Sequence, residues 1–296
     1  MTQFATAESE YNKDKKIRKE DVEALEEWAK KQPHLPKISE VKLIQFLQSN
    51  YYRLEATKTC IDKYYTIKAQ CPDIFANRTV DSVKDIMSIV TATLLPKKSK
   101  NGYTVLFCKL MDKNSDNFSN LEVIKYFDMV LSVLLAQLGT CEGHVLVIDM
   151  EGLSLSHIAK VNINVTRKYM YFLQEALPIR TKEIHIVNVS ALAQKLLNLV
   201  KSFINKDILD ALHLHTSVDG LFEFIPKDAL PSEYSGQNES LVAMQKEVNK
   251  SLVDNQQFLR EDEKEIADET KRVGGKAKYL DEEPEMAGSF KKLDVF

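Results

Sequence analysis

Glycine is scarce in this chain, with nine in 296 residues, and it never forms a phosphate-cradling pattern. No Gly-x-Gly-x-x-Gly follows the first apolar strand-like run, and no Gly-Lys-Ser or Gly-Lys-Thr loop occurs, so the usual parts of a nucleotide site are missing. The four cysteines, Cys60, Cys71, Cys108 and Cys141, lie far apart. They lack the Cys-x-x-Cys spacing of zinc and redox sites and the density of a disulfide scaffold, so reduced thiols and a cytoplasmic compartment are expected. Long apolar runs are absent too. Met129 to Leu138 is interrupted by Ser132 and Gln137 and falls short of the roughly 20 residues of a membrane span. Met1 to Lys19 is polar, without the apolar core of a secretory signal. Lys and Arg number 40 against 43 Asp and Glu, and this lack of basic excess argues against a nucleic-acid partner.

What is present suits a globular protein of one or two domains, 44% hydrophobic and 28% charged. From Lys19 to about Thr93 apolar residues recur at three and four, as in Val22, Leu25 and Trp28, then Val41, Ile44, Phe46 and Leu47. This spacing predicts a small helical domain, with Asp81 capping a helix through Val83, Ile86, Ile89 and Val90. After the polar Lys97 to Gly102 turn, Tyr103 to Leu110 reads as a strand and Leu121 to Leu138 as a long helix. Val145 to Met150 and Ile184 to Val189 read as central strands, apolar on both faces. Ile158 to Leu177 reads as a helix ended by Pro178, and Leu192 to Ile204 as another. A last apolar run, Leu221 to Ile225, stops at Pro226. Strands alternating with helices predict an α/β fold. The expected division is a helical segment over 19–93, an α/β domain over 97–240 and a charged extension over 241–296. Leu241, Met244, Val248, Leu252 and Phe258 would dock that extension on the core.

One segment invites a catalytic or metal reading. Asp149, Glu151 and His157 follow the carboxyl end of a strand, where active sites of α/β folds often sit. No second histidine stands at metal-ligand spacing, and neither a nucleophile elbow nor an activated serine is identifiable. The alternative has a mechanism: Gly152 permits a tight turn, Ser154 or Ser156 caps the next helix, and His157 bonds a strand-end carboxylate. No catalytic residue and no metal ligand is assigned. Apart from these, Leu192, Leu196, Leu199, Val200, Phe203 and Ile204 share one stripe of a helix. Periodicity alone does not separate a core helix from one that meets a ligand.

Val147-Ile-Asp-Met-Glu-Gly-Leu-Ser-Leu-Ser-His157 resembles the CRAL-TRIO family. The likeness continues through Glu175-Ala-Leu-Pro-Ile-Arg180, Lys182-Glu-Ile-His-Ile-Val-Asn188, Val200-Lys-Ser-Phe203 and Leu230-Pro-Ser-Glu-Tyr234. Upstream, Leu43-Ile-Gln-Phe-Leu47 and Cys71-Pro-Asp-Ile-Phe75 resemble the family's helical amino-terminal region. Downstream, Gly288-Ser-Phe-Lys-Lys-Leu-Asp294 is similar to the ending of its tocopherol-carrier branch. The resemblance implies a mixed β-sheet flanked by helices, with an internal hydrophobic pocket under a helical lid. It implies a soluble, monomeric, non-enzymatic carrier that needs no cofactor, holds a hydrophobic lipid such as a retinoid, tocopherol or carotenoid, and touches membranes transiently. Carried over residue by residue, the pocket would be lined by Tyr126, Val130, Leu146, Ile148, Val161, Tyr169, Phe172, Leu177, Ile179 and Ile184. Leu192, Leu196, Val200 and Phe203 would form the lid, and Tyr126 and Tyr169 would offer the ligand a polar partner.

The departures bear on the release mechanism. The family's Phe-Leu-Arg-Ala-Arg segment is here Phe46-Leu-Gln-Ser-Asn50, and the basic positions after the lid are Asp207, Leu209 and Ala211. Arg180, with Lys206 shifted by one place, remains for a lipid head group. Ser190, Ser202 and Ser235 stand where two prolines and a glycine are usual, which predicts a more continuous lid helix. Two alternatives stay open at this point: a phosphatidylinositol or phospholipid transfer protein of signalling, and a scaffold whose pocket is filled by its own side chains.

Overall fold

A computed structural model describes residues 3–280. The motif from Gly288 to Asp294 and the end of the extension lie outside the described residues. Five helices come first: Ala7–Lys13 (α1), Lys19–Lys30 (α2), Glu40–Ser49 (α3), Leu54–Gln70 (α4) and Pro72–Phe75 (α5). Their apolar stripes turn inward, and Val22, Leu25, Ile44, Phe46 and Leu47 are buried. The helix expected after Asp81 does not form. Thr79, not Asp81, caps a 3₁₀ turn over Val80–Ser82, a second turn spans Ile86–Ser88, and Val90–Leu94 is a strand, β1. Its β-branched residues suit a pleated surface, and pairing with β2 supplies its backbone with partners.

The strands β1, β2 (Thr104–Leu110), β3 (His144–Asp149), β4 (Thr181–Val187) and β5 (Leu212–Leu214) lie in sequence order in one sheet. β1 runs antiparallel to β2, and every later pair is parallel. The parallel strands are joined by Asn120–Leu138 (α6), by Leu155–Ala159 (α7) with Ile163–Glu175 (α8), and by Ala191–Val200 (α9) with Lys206–Asp210 (α10). Crossovers of this kind are right-handed, so strands taken in order send all these helices to one face. The helix expected over 158–177 is broken, because Asn162 accepts from the Val165 amide at 3.2 Å and starts α8 afresh.

Strand residues alternate between the faces. Leu106, Ile148, Ile184 and Leu212 point to the helical side. Val105, Phe107, Val145, Val147 and Val187 point away and pack with Leu221, Ile225, Leu230, Leu241 and Met244. The run from Leu221 lies in 3₁₀ turns rather than a strand, and closes this second face. At its edge the rings of His185, His213 and His215 stack beside Phe224.

The amino-terminal helices share their core with α6 and α8: Phe75 meets Phe172 at 4.6 Å and Tyr64 meets it at 5.4 Å between ring centres. Leu241–Asp254 (α11) and Gln256–Asp262 (α12) are the last α-helices among the described residues. A buried ion cluster locks α12 in place. The Asp262 carboxylate accepts from Arg78 at 2.7 Å, Lys68 at 2.9 Å and Lys42 at 3.0 Å, and Arg78 also pairs with Asp128 of α6 at 2.9 Å. Burial alone would raise the pKa of Asp262, but the charges of Lys42, Lys68 and Arg78 outweigh it and hold the carboxyl well below its usual range. No helix among the described residues is long and apolar enough to cross a membrane.

Removing one member of such a cluster strands the others. Asp262→Asn should destabilise the protein by about 3–5 kcal/mol at neutral pH, read from urea unfolding. Because the folded-state pKa is depressed, this contribution is complete above the unfolded value of about 3.9 and is lost as pH falls through the lower folded value. The gap between wild type and variant should therefore shrink in acid; a constant gap would refute the assignment.

Candidate ligand cavity

The cavity lies between the sheet and its crossover helices and measures about 460 Å³, within the range of roughly 300–1,000 Å³ for small-molecule sites. β3 forms the middle of its floor, with Leu146 and Ile148 flanked by Leu106 and Cys108 of β2 and by Ile184 and Ile186 of β4. α6 supplies one wall through Phe127, Leu131 and Leu135, and α8 another through Tyr169, Met170 and Leu173. α9 and α10 contribute Leu196, Leu197, Val200 and Ile208. The surface is almost wholly aliphatic and aromatic.

Of the pocket residues named from sequence, Tyr126, Leu146, Ile148, Val161, Tyr169, Ile179 and Ile184 lie on this wall. Val130, Phe172 and Leu177 do not. Val130 borders a separate hollow beside α11, Phe172 is packed between Phe75 and Tyr64, and Leu177 belongs to the solid core behind. The tyrosines lend the cavity their rings and not their hydroxyls. Tyr126 donates to Asn249 at 3.0 Å, and Tyr169 to Asp128 at 3.4 Å. Sequence reasoning missed Leu106, Leu131 and Met170. The alternation along β2 and the heptad-like spacing along α6 carried the signal for the first two.

The helix expected over 192–204 is shorter and rotated. α9 ends at Val200, a 3₁₀ turn spans Lys201–Phe203, and Ile204 is extended. The more continuous helix expected from the loss of the family proline does not form: the chain leaves α-helical geometry after Val200 even with serine at position 202. Ser202 donates to the Leu199 carbonyl at 3.1 Å, and Asn205 caps α10. Leu196 and Val200 face the cavity together with Leu197, while Leu192 and Phe203 do not line it. Among the described residues no side chain of α9 bonds to the rest of the protein; the segment is fastened at its ends. At one end Ser190 caps it, next to Asn188, whose side chain donates to Asp149 at 2.7 Å. At the other Gln174 donates to the Phe203 carbonyl at 2.9 Å and accepts from the Asn205 amide at 2.7 Å.

Polar groups gather at the two ends of β3. Asp149 is buried and accepts from Lys109 at 2.7 Å, from the Glu151 amide at 2.8 Å, from Asn188 and from Tyr234. Burial pushes its pKa up, but these bonds push harder and keep it below the usual carboxylate range. It is a structural tie between strand ends. Gly152 turns the chain at a φ of +88°, and Ser154 caps α7, as its sequence implied. His157 bonds Ser154 Oγ through Nδ1 at 2.7 Å and not a strand-end carboxylate. At the far end of β3, His144 has both ring nitrogens buried without a partner, and burial drives its pKa down to about 4. Among the described residues no group of three His, Cys, Asp or Glu side chains could hold a metal ion.

Arg180 is not presented to solvent. Its guanidinium lies over the Tyr51 ring at 4.2 Å, donates to the Gln48 carbonyl and meets Glu142 at 3.3 Å, pinning the start of β4 to the end of α3. Lys206, at the start of α10, is exposed.

A mixed sheet whose crossover helices border an apolar cavity is a recognisable architecture. Comparison with known proteins gives that fold its place. Residues 91–236 match the model of the CRAL/TRIO domain, and residues 14–85 that of the Pinta-like, UBA domain. Residues 91–236 therefore form a CRAL/TRIO domain. It is 27% identical to the alpha-tocopherol transfer protein-like protein of Mus musculus over 220 residues, 73% of this chain and 64% of that one. Clavesin-1 of Xenopus laevis is 22% identical over 198 residues, 66% of this chain and 60% of that one. The match thus spans less than two thirds of either relative. The crystal structure of Sfh5 aligns with a TM-score of 0.49 at 14% identity, over 86% of this chain and 99% of that one.

Ile148→Trp places an indole on the middle of the floor. It should lower affinity for an apolar fluorescent probe by about tenfold or more while the melting temperature stays within a few degrees, as large side chains can fill a void without loss of the fold. Unchanged probe binding would show that the cavity is not the site occupied.

Proposed function

We propose that this chain is a cytoplasmic carrier that encloses one isoprenoid lipid, such as a retinoid, a tocopherol or a carotenoid, and hands it between membranes without altering its bonds. The observation behind this reading is the apolar cavity between the sheet and its crossover helices. Burial contributes about 25 cal/mol for each Å² of apolar surface, so a water-insoluble guest gains most of its affinity from the walls alone. The relatives named alpha-tocopherol transfer protein-like agree with it. A cavity of about 460 Å³ speaks against the alternative of a scaffold filled by its own side chains.

The phosphoinositide alternative has less support. Arg180 is engaged by Gln48, Glu142 and Tyr51, and the positions after the lid are acidic or apolar. For membrane contact the outer flank of the lid is the best candidate. Leu192, Leu199 and Phe203 are half-buried there without lining the cavity, and apolar side chains next to a membrane surface insert at its boundary.

Native mass spectrometry of the purified protein tests the reading directly: an isoprenoid mass is expected, and a bound phospholipid would overturn it. Phe203→Asp should slow transfer of a fluorescent isoprenoid between vesicles several-fold while leaving equilibrium binding unchanged, whereas Leu196→Asp should weaken binding itself. Gln174→Ala should speed both hydrogen exchange at the Asn205 amide and release of the guest. Wild-type transfer by Phe203→Asp would exclude the outer flank as the docking element.

A further inference from the structure

Most polar groups bordering the cavity are already bonded to the protein. Tyr126, Tyr169, Gln174 and Asp149 all have partners. His157 differs. Its side chain is 0% exposed, it borders the cavity, and its Nε2 has no partner. The local chain fixes which proton it carries. The Ser154 main-chain N–H points at Nδ1 from 3.2 Å, and Ser154 Oγ lies 2.7 Å from the same nitrogen. A main-chain N–H can only donate, so Nδ1 accepts, and the neutral ring holds its proton on Nε2. Burial, and then the charge of Lys160, disfavour a second proton. Phe118 packs edge to face against the ring at 5.2 Å and holds its plane. The result is one oriented N–H donor in an apolar enclosure, and a buried donor left without an acceptor is unfavourable.

We propose that His157 Nε2–H is the polar anchor of the bound lipid, and that the cavity selects an isoprenoid ending in an uncharged oxygen, an aldehyde, ketone or alcohol, over the corresponding carboxylate. This rests on the carrier reading above. The bias against a carboxylate comes from the neighbourhood. Asp149, Glu151 and Lys109 border the cavity, and the Lys109 ammonium is already shared between the two carboxylates at 2.7 Å each. Lys113 is bonded to Glu151, also at 2.7 Å. An incoming carboxylate would meet two like charges whose counter-ions are engaged.

Retinal, retinol, retinoic acid and the oxygen-free hydrocarbon of the same skeleton test this by equilibrium binding to the full chain. The wild type should bind retinal and retinol at least about tenfold more tightly than the acid. His157→Phe should lose about 3- to 10-fold for retinal with no change for the hydrocarbon, the worth of a single neutral hydrogen bond. His157→Gln, which keeps a side-chain N–H, should retain most of the retinal affinity. A measurement that needs no variant is the ¹⁵N shift of His157 Nε2, which should move with retinal and stay with the hydrocarbon. Equal losses for all ligands, or an Nε2 signal indifferent to retinal, would overturn the anchor alone. Should the wild type bind none of the four, the carrier reading falls and takes the anchor with it.

Discussion

Strands that follow one another in order and run parallel allow their connections only one side, because a right-handed crossover returns each time over the same face. In this chain three such crossovers stack on β2 to β5, and the two faces of one sheet become different environments. The face under α6, α8 and α9 holds the cavity between helices and sheet. The opposite face is pressed flat by the turns around Leu221 and Ile225, with no crossover to hold them off. The cavity is thus a product of topology first and of side-chain choice second. Alternation along each strand then decides which residues line the cavity.

Charge does the complementary work outside the cavity. Arg78, Asp128, Lys68 and Asp262 are all nearly excluded from water and draw α4, α6 and α12 together. Arg180, stacked on Tyr51 and bonded to the Gln48 carbonyl, does the same for the start of β4 and α3. Such pairs hold geometry only while complete, since each ion depends on its neighbours for the solvation it has lost. Placing them behind the walls keeps the walls themselves apolar.

The long elements were legible in the sequence because each carries its period over many residues. Asn120–Leu138 and the strand His144–Asp149 lie within a residue or two of their expected bounds. Reading failed where a short segment answers to a distant partner. Val90–Leu94 has helical spacing on its left and β-branched residues within it, and only pairing with Thr104–Leu110 decides between them. The side chains around the cavity were legible in kind more than in direction. Periodicity showed that Phe172 is buried, but which buried surface it joins is set by Phe75 and Tyr64, residues roughly a hundred positions away. Arg180 looked available because neither Tyr51 nor Gln48 is near it in sequence.

The lid's fastenings bear on how anything could leave. A door hangs on one hinge and swings; a strap is buckled twice and can only slacken. With Asn188 and Ser190 at one end and Gln174 at the other, α9 is a strap. Its loosest link is the turn after Val200, where regular helix has already given way. Slack gathered there would lift one end of the cover before the other, so a long molecule would be released by its tip.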